Sequence, residues 1–284
     1  MIKLTECPRD AMQGLKYFIP TESKIEYINK LLRVGYYALD FGSFVSAEVI
    51  PQMADTVEVL AGLDLSATKT KLIAIIANER GAQNACEHKE ITYLGFPFSV
   101  SETFQMRNTH ATILQSLERV KKIKELCDQN GKELILYISM GFGNPYGDPY
   151  NPEIVERWVE QLSHLGIKIF MLSDTVGVAT PDTITHLFST LIPRFPQLEI
   201  GAHLHTAPHN WRVKVDAAYK NGCMRFDSVI KGYGGCPMAD DDLIGNMPTE
   251  NLLNYFDPYK DFGPDFSVKA FEDALRAANN VFVH

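Results

Sequence analysis

The stretch ELILYISMGFGNPYGDPYNPEIVERWVEQLSHLGIKIFMLSD, residues 133–174, holds one complete cycle of the chain's construction. ELILYIS (133–139) is a short run rich in Ile, Leu and Tyr, bounded by turn residues, and reads as a buried strand. PEIVERWVEQLSHLG (152–166) has helical periodicity. It opens on Pro152, whose missing N–H would be unpaired there anyway, and stops at Gly166. KIFMLS (168–173) is a strand again.

The same alternation recurs on both sides. IKLTEC (2–7), YYALDF (36–41), KLIAIIA (71–77), ITYLGF (91–96), EIGAHLH (199–205) and RFDSVI (225–230) bring the candidate strands to eight. Helical patterns such as ESKIEYINKLLRVG and TILQSLERVKKIKELCDQNG lie between them, each ending in Gly, and Pro181 marks another helix start. Eight strand–helix pairs in 284 residues, with no low-complexity linker and no shift of composition, predict an α/β fold of the (β/α)8, or TIM-barrel, type over residues 1–284. A doubly wound open sheet is the runner-up, but no GxGxxG follows the first strand. The segment VKAFEDALRAANNVFVH (268–284), within a C-terminal helix at about 266–284, is expected under or beside the barrel and is a candidate homodimer contact.

The formal net charge of -8 argues against nucleic acid and membrane surfaces as partners, because both require a basic stripe. A small-molecule substrate is the better default. Five cysteines without a CxxC pair suit a reducing compartment and leave free thiols. MIKLTECPRD lacks the charged and apolar regions of a signal peptide, and no apolar run approaches the roughly 18 residues of a membrane helix, so a cytoplasmic location is expected.

In a barrel the C-terminal ends of all strands share one face, and the active site is built there. Those ends carry Arg9 and Asp10 after the first strand, Asp40 in the second, Asp174 after the sixth, and His203 and His205 in the seventh. Cys236 and Asn246 follow the eighth. Residues two apart on a strand face the same side, so His203 and His205 can meet one cation. Asp10 and Asn246 complete a mixed nitrogen and oxygen set that suits Mg²⁺ or Mn²⁺, although imidazole also admits Zn²⁺, Co²⁺ or Fe²⁺. Asp40 stands in an apolar strand where an unpaired carboxylate is costly, and Arg9 is its natural partner. Cys236 sits beside Gly234 and Gly235, which suggests a mobile segment that carries a thiol toward the site.

Five segments in order bring a family into view: ECPRDAMQ (6–13), FVSAEVIPQMAD (44–55), LSDTVGVATP (172–181), HLH (203–205), and GGCP (234–237) followed by GNMPTENL (245–252). Together they resemble the 3-hydroxy-3-methylglutaryl-CoA lyases, within the wider group of metal-dependent barrel lyases and synthases whose first strand ends in Arg-Asp. The resemblance implies retro-Claisen cleavage of an acyl-CoA substrate to acetyl-CoA and acetoacetate. It implies Asp10, His203, His205 and Asn246 as ligands of the cation, Arg9 and Gln13 as substrate contacts, Asp40 and Asp174 as supports, and Cys236 on a closing loop. The general base stays open between Asp10, Asp174 and a histidine.

The residue types agree with that chemistry. A fixed guanidinium stabilises an enolate oxyanion, and a thiol of ordinary pKa, near 8.5, is protonated at neutral pH and donates. The chain departs from the family pattern at Ala11, at Gly14 and at Thr206, where the family has Asp, and in the acidic run Asp240 to Asp242. Three carboxylates repel CoA phosphates unless they face solvent. The alternatives are a Claisen-type synthase or aldolase joining acetyl-CoA to a 2-oxo acid, a lyase for another 3-hydroxyacyl substrate, and a non-catalytic metal-binding scaffold.

Overall fold

The strands β1 (Lys3–Glu6), β2 (Ala38–Ser43), β3 (Lys71–Ile75), β4 (Ile91–Ser99), β5 (Glu133–Ser139), β6 (Ile169–Ser173), β7 (Glu199–His203) and β8 (Arg225–Ser228) pair in parallel and in chain order. The structure is a computed structural model that describes residues 1–234 and 244–282. β8 pairs back onto β1, from Lys3 opposite Arg225 to Glu6 opposite Ser228, which closes the barrel and disposes of the open-sheet alternative.

Side chains alternate along each strand, so one sequence run supplies two cores. Ile73 and Ile75, Ile135 and Tyr137, and Ile169 and Met171 fill the barrel interior. Their neighbours Leu72 and Ala74, Leu134 and Leu136, and Phe170 and Leu172 pack outward against the helices. That is why these strands read as continuous apolar runs.

Helix ends follow the local chemistry. Pro152 and Pro181 occupy first-turn positions, behind Asn151 and Thr180, whose side chains accept from the backbone of Ile154 and Thr183. Thr112 and Gln115 form a reciprocal capping box on the helix Ile113–Gln129. Gly35, which ends the first long helical pattern, has φ of +86°, and a Cβ there would lie 2.1 Å from the carbonyl oxygen of Asp265. Only glycine fits that position.

The structure corrects the sequence reading at the first strand. β1 stops at Glu6, and residues Pro8–Gln13 form a short helix with Pro8 in its first turn. Arg9 and Asp10 therefore stand on a helix, not at a strand tip. The helix Val268–Val281 lies beside the barrel, packed on the helix Thr21–Leu32, with the Tyr27 and Phe282 rings edge-to-face at 5.8 Å. No helix among the described residues is long and apolar enough to cross a membrane, and Cys7, Cys86, Cys127 and Cys223 are free thiols.

Candidate active site

The short helix after β1 explains how Arg9, Asp10 and Gln13 act together. Gln13 stands three residues after Asp10 and four after Arg9, the spacings at which helical side chains meet. Gln13 accepts from Arg9 Nη1 at 2.9 Å and donates to Asp10 Oδ1 at 2.8 Å. The rest of the guanidinium is held by Asp40 of β2, with Nε at 2.9 Å and Nη2 at 2.5 Å from Oδ2. Asp40 is fully buried, and burial pushes its carboxyl up to about 6 against the pull of Arg9. Arg9 is thereby locked in one orientation, lining the cleft.

Beside it, Asp10, His203 and His205 bring one ligand atom each to within 4.8 Å of one another. His203 Nε2 is 3.7 Å from Asp10 Oδ2, and the two imidazole centroids are 5.6 Å apart. Asn246 adjoins the group through a backbone bridge to His205, and its side chain donates to the Tyr233 carbonyl at 3.0 Å. Burial raises the Asp10 carboxyl, but Arg9 and the two imidazoles more than reverse this and hold it below its ordinary range. Burial pushes His205 down to about 4, with His203 adding to the effect. Burial also works against protonated His203, but Asp227 outweighs it and raises that ring. An ionised carboxylate, a neutral imidazole and a carboxamide are donors that a divalent cation takes. The residues present fit such an ion.

A cleft opens over this group. Part of its lining is apolar, from Val45, Ile50, Ile75, Pro97 and Phe104, and part is polar, from Gln13, Asn108, Ser139, Ser173 and Thr175. The FVSAEVIPQMAD segment supplies some of the apolar lining and is itself pinned. Gln52 accepts from Ile19 N at 2.9 Å and donates to the Tyr17 carbonyl at 2.7 Å, while Asp55 takes Lys24 Nζ and Thr21 Oγ1, both at 2.7 Å. The loop 140–152 does not itself line the cleft. It braces the wall from behind, with Tyr146 stacked on Phe104 and Asp148 accepting from Ser101 and Thr103. Asn108 reaches the cleft, whereas Glu102 turns away to accept from Ile113 N.

Asp174 lies between two cleft residues but faces the other way. Its Oδ2 accepts from Lys214 Nζ at 2.6 Å and its Oδ1 from Ala179 N at 2.9 Å. Burial pushes this carboxyl up against the pull of Lys214. Lys214 also donates to the carbonyls of Gly177 and His205, so the pair ties the loop after β6 to the backbone at His205, two residues past the end of β7. Among the described residues, the acidic and imidazole groups lining the cleft are Asp10, His203 and His205.

Gly234 carries a different meaning from the mobility read in the sequence. Its φ is +82°, and a Cβ would lie 2.7 Å from the Asp10 carbonyl oxygen and 3.0 Å from Ala11 Cα. Glycine is required there by close approach to the ligand-bearing helix. Cys236 and Asp240 to Asp242 lie outside the described residues. Thr206 is buried and its N–H donates to the Gly245 carbonyl.

Two residues escaped the sequence reading. Lys214 gave no signal within an ordinary helical pattern. Asp227 did, as an acid inside the apolar run RFDSVI, by the reasoning already applied to Asp40.

Residues 3–258 match the HMGL-like family model. The hydroxymethylglutaryl-CoA lyase of Bacillus subtilis is 32% identical over 246 residues, 87% of this chain and 81% of that protein. A 3-hydroxy-3-isohexenylglutaryl-CoA/hydroxymethylglutaryl-CoA lyase of Pseudomonas aeruginosa is 31% identical over 255 residues, 89% of this chain and 83% of its own length. Among solved structures, an HMG-CoA lyase from Acinetobacter baumannii in complex with coenzyme A and 3-methylmalate superposes with a TM-score of 0.90 at 29% identity, covering 100% of this chain and 92% of the other.

Proposed function

The chain belongs to the HMGL-like family, and from that premise we propose that it cleaves 3-hydroxy-3-methylglutaryl-CoA to acetyl-CoA and acetoacetate at a divalent cation, Mg²⁺ or Mn²⁺, held by Asp10, His203, His205 and Asn246. The observation that carries the reading is the convergence of one ligand atom each from Asp10, His203 and His205 within 4.8 Å, beside an immobilised Arg9. A cation bound there acidifies a hydroxyl oxygen and neutralises charge that develops on it.

The remaining steps belong to the chain's own groups. Of the groups lining the cleft, Asp10 is the one that keeps a second oxygen to take the C3 hydroxyl proton when His203 and His205 hold the cation, while Asp174 is committed to Lys214. As the C2–C3 bond breaks, its electron pair moves onto the thioester as an enolate and C3 becomes the ketone of acetoacetate. Arg9, fixed by Asp40 and Gln13, keeps a permanent positive charge facing the cleft and stabilises the enolate oxygen. Protonation of C2 then yields acetyl-CoA, and Cys236 is the proposed donor on sequence grounds. The apolar lining gives the C3 alkyl group a place to pack.

The test is a product assay across acyl groups. Purified protein is incubated with 3-hydroxy-3-methylglutaryl-CoA, its longer 3-alkyl analogues and a 2-hydroxyacyl-CoA control, and the released keto acid is quantified. Acetoacetate from the methyl compound supports the proposal. Cleavage of a longer analogue alone moves the substrate assignment within the lyase class, and condensation of acetyl-CoA with a 2-oxo acid in place of cleavage would overturn it in favour of a synthase.

A further inference from the structure

We infer that Asp227 is a positioning residue that fixes the tautomer and orientation of His203, turning Nε2 toward the candidate cation site. The inference rests on the cation site proposed above. Asp227 lies on β8, where it and Arg225 alternate with the outward-packed Phe226, and it pairs in register with Thr5 of β1. It is 3% exposed, and its Oδ2 stands 3.1 Å from His203 Nδ1.

A neutral imidazole carries one N–H. A buried carboxylate at Nδ1 draws that hydrogen to Nδ1, which leaves the Nε2 lone pair directed to the side where Asp10 Oδ2 lies 3.7 Å away. The ring is held from another direction by Tyr137, edge-on at 5.8 Å and 89°. Carboxylates that orient ligating histidines in this way typically contribute 10–100-fold to metal affinity.

The competing account is that Asp227 is a buried acid of purely structural value. The other buried acids near the site show what that looks like: Asp40 is held by Arg9 and Asp174 by Lys214, each at salt-bridge distance. Asp227 makes no salt bridge to a lysine or arginine among the described residues, and its Oδ1 accepts no hydrogen bond from them. Among the described residues, the polar contact its side chain makes at hydrogen-bond distance is to the His203 ring. That contact bears on the orientation of a ligand, not on tying elements together.

The experiment measures Mn²⁺ affinity of the full chain by titration with electron paramagnetic resonance detection, for wild type, Asp227→Asn and Asp227→Ala. It is paired with histidine ¹⁵N spectra of the metal-free proteins at a pH where the ring is neutral. The expected result is a 10–100-fold rise in Mn²⁺ Kd for Asp227→Ala and a smaller rise for the isosteric Asp227→Asn. His203 is expected as the Nδ1–H form in wild type and as a mixture of tautomers in the variants. Unchanged Kd with unchanged tautomer in a folded Asp227→Asn protein overturns the inference, as does an Nε2–H ring in wild type. Wild type that binds no Mn²⁺ would sink the cation site itself, and the tautomer spectra would still decide what Asp227 does.

Discussion

Arg9 and Asp40 meet through two guanidinium nitrogens, Nε and Nη2, on one buried carboxylate, and both side chains are nine-tenths or more buried. This geometry is available to a planar fork and not to an ammonium. Arg9→Met is predicted to lower kcat by at least about a hundredfold through loss of oxyanion stabilisation. It also strands Asp40 as an uncompensated buried charge, at a cost of about 3–5 kcal/mol. Arg9→Lys is predicted to recover little of either. Steady-state rates and urea unfolding of the two variants check both halves, and a wild-type rate in Arg9→Met would remove Arg9 from the chemistry.

His203 ends β7 and His205 follows two residues later, with one ligand atom of each within 4.8 Å of the other, and the proposed site takes one ligand from each. We predict that His203→Ala and His205→Ala each weaken Mn²⁺ binding by two orders of magnitude or more while the far-ultraviolet circular dichroism stays that of the barrel. Calorimetric titration measures this directly. A variant that retains full affinity would exclude that ring from the site.

Lys214 spends its ammonium on Asp174 and two carbonyls inside the protein. Lys214→Met leaves Asp174 charged and alone, and is predicted to destabilise the fold by about 3–5 kcal/mol. For a chain of this size that lowers Tm by roughly 10 °C. The double change Lys214→Met with Asp174→Asn removes the stranded charge and is predicted to recover part of the loss. Equal stability of single and double variants would show that the pair is not coupled.

Glu6 is wholly buried between Ile230 N, at 2.7 Å, and Thr249 Oγ1, at 2.6 Å, and burial pushes its carboxyl up to about 8 from 4.5. The folded protein therefore holds this proton more tightly than the unfolded chain. Between pH 4.5 and 8 the folded state binds more protons, so stability falls as pH rises, and the cost is complete above pH 8. Its upper size is about 5 kcal/mol. Glu6→Gln is predicted to be near neutral at pH 5 and stabilising by about 2 kcal/mol or more at pH 9. Urea midpoints at the two pH values check this, and a pH-independent difference would contradict it.

Cys236→Ala is predicted to lower turnover by at least about a hundredfold without changing Mn²⁺ affinity, as loss of a proton donor would. Single-turnover rates with metal-saturated protein test it. A near wild-type rate would assign the final proton to another group.

The barrel was legible because both of its cores are written in one pattern. Ile73 and Leu72 face opposite ways yet are both apolar, so a doubly buried strand appears as an uninterrupted run. The HLH pair was read from strand alternation, and the two rings do come together with Asp10, although β7 ends at His203 and His205 lies just beyond it. What strand periodicity hid was the helix Pro8–Gln13, too short to show a helical pattern, and with it the contact of Gln13 to both Arg9 and Asp10. Lys214 was hidden because a buried lysine looks like a surface one until its acceptors are known. Asp227 was visible in principle, since an acid in an apolar strand needs a partner, and His203 is separated from it by 24 residues of chain.

The central claim is cation-dependent carbon–carbon cleavage at the Asp10, His203 and His205 group. Its most direct measurement is acetoacetate release from 3-hydroxy-3-methylglutaryl-CoA by protein stripped with a chelator and then titrated with Mn²⁺ or Mg²⁺. The account predicts no release from stripped protein and saturable recovery at one ion per chain. A rate unchanged by stripping, or no release from folded protein shown to hold one Mn²⁺, would contradict it.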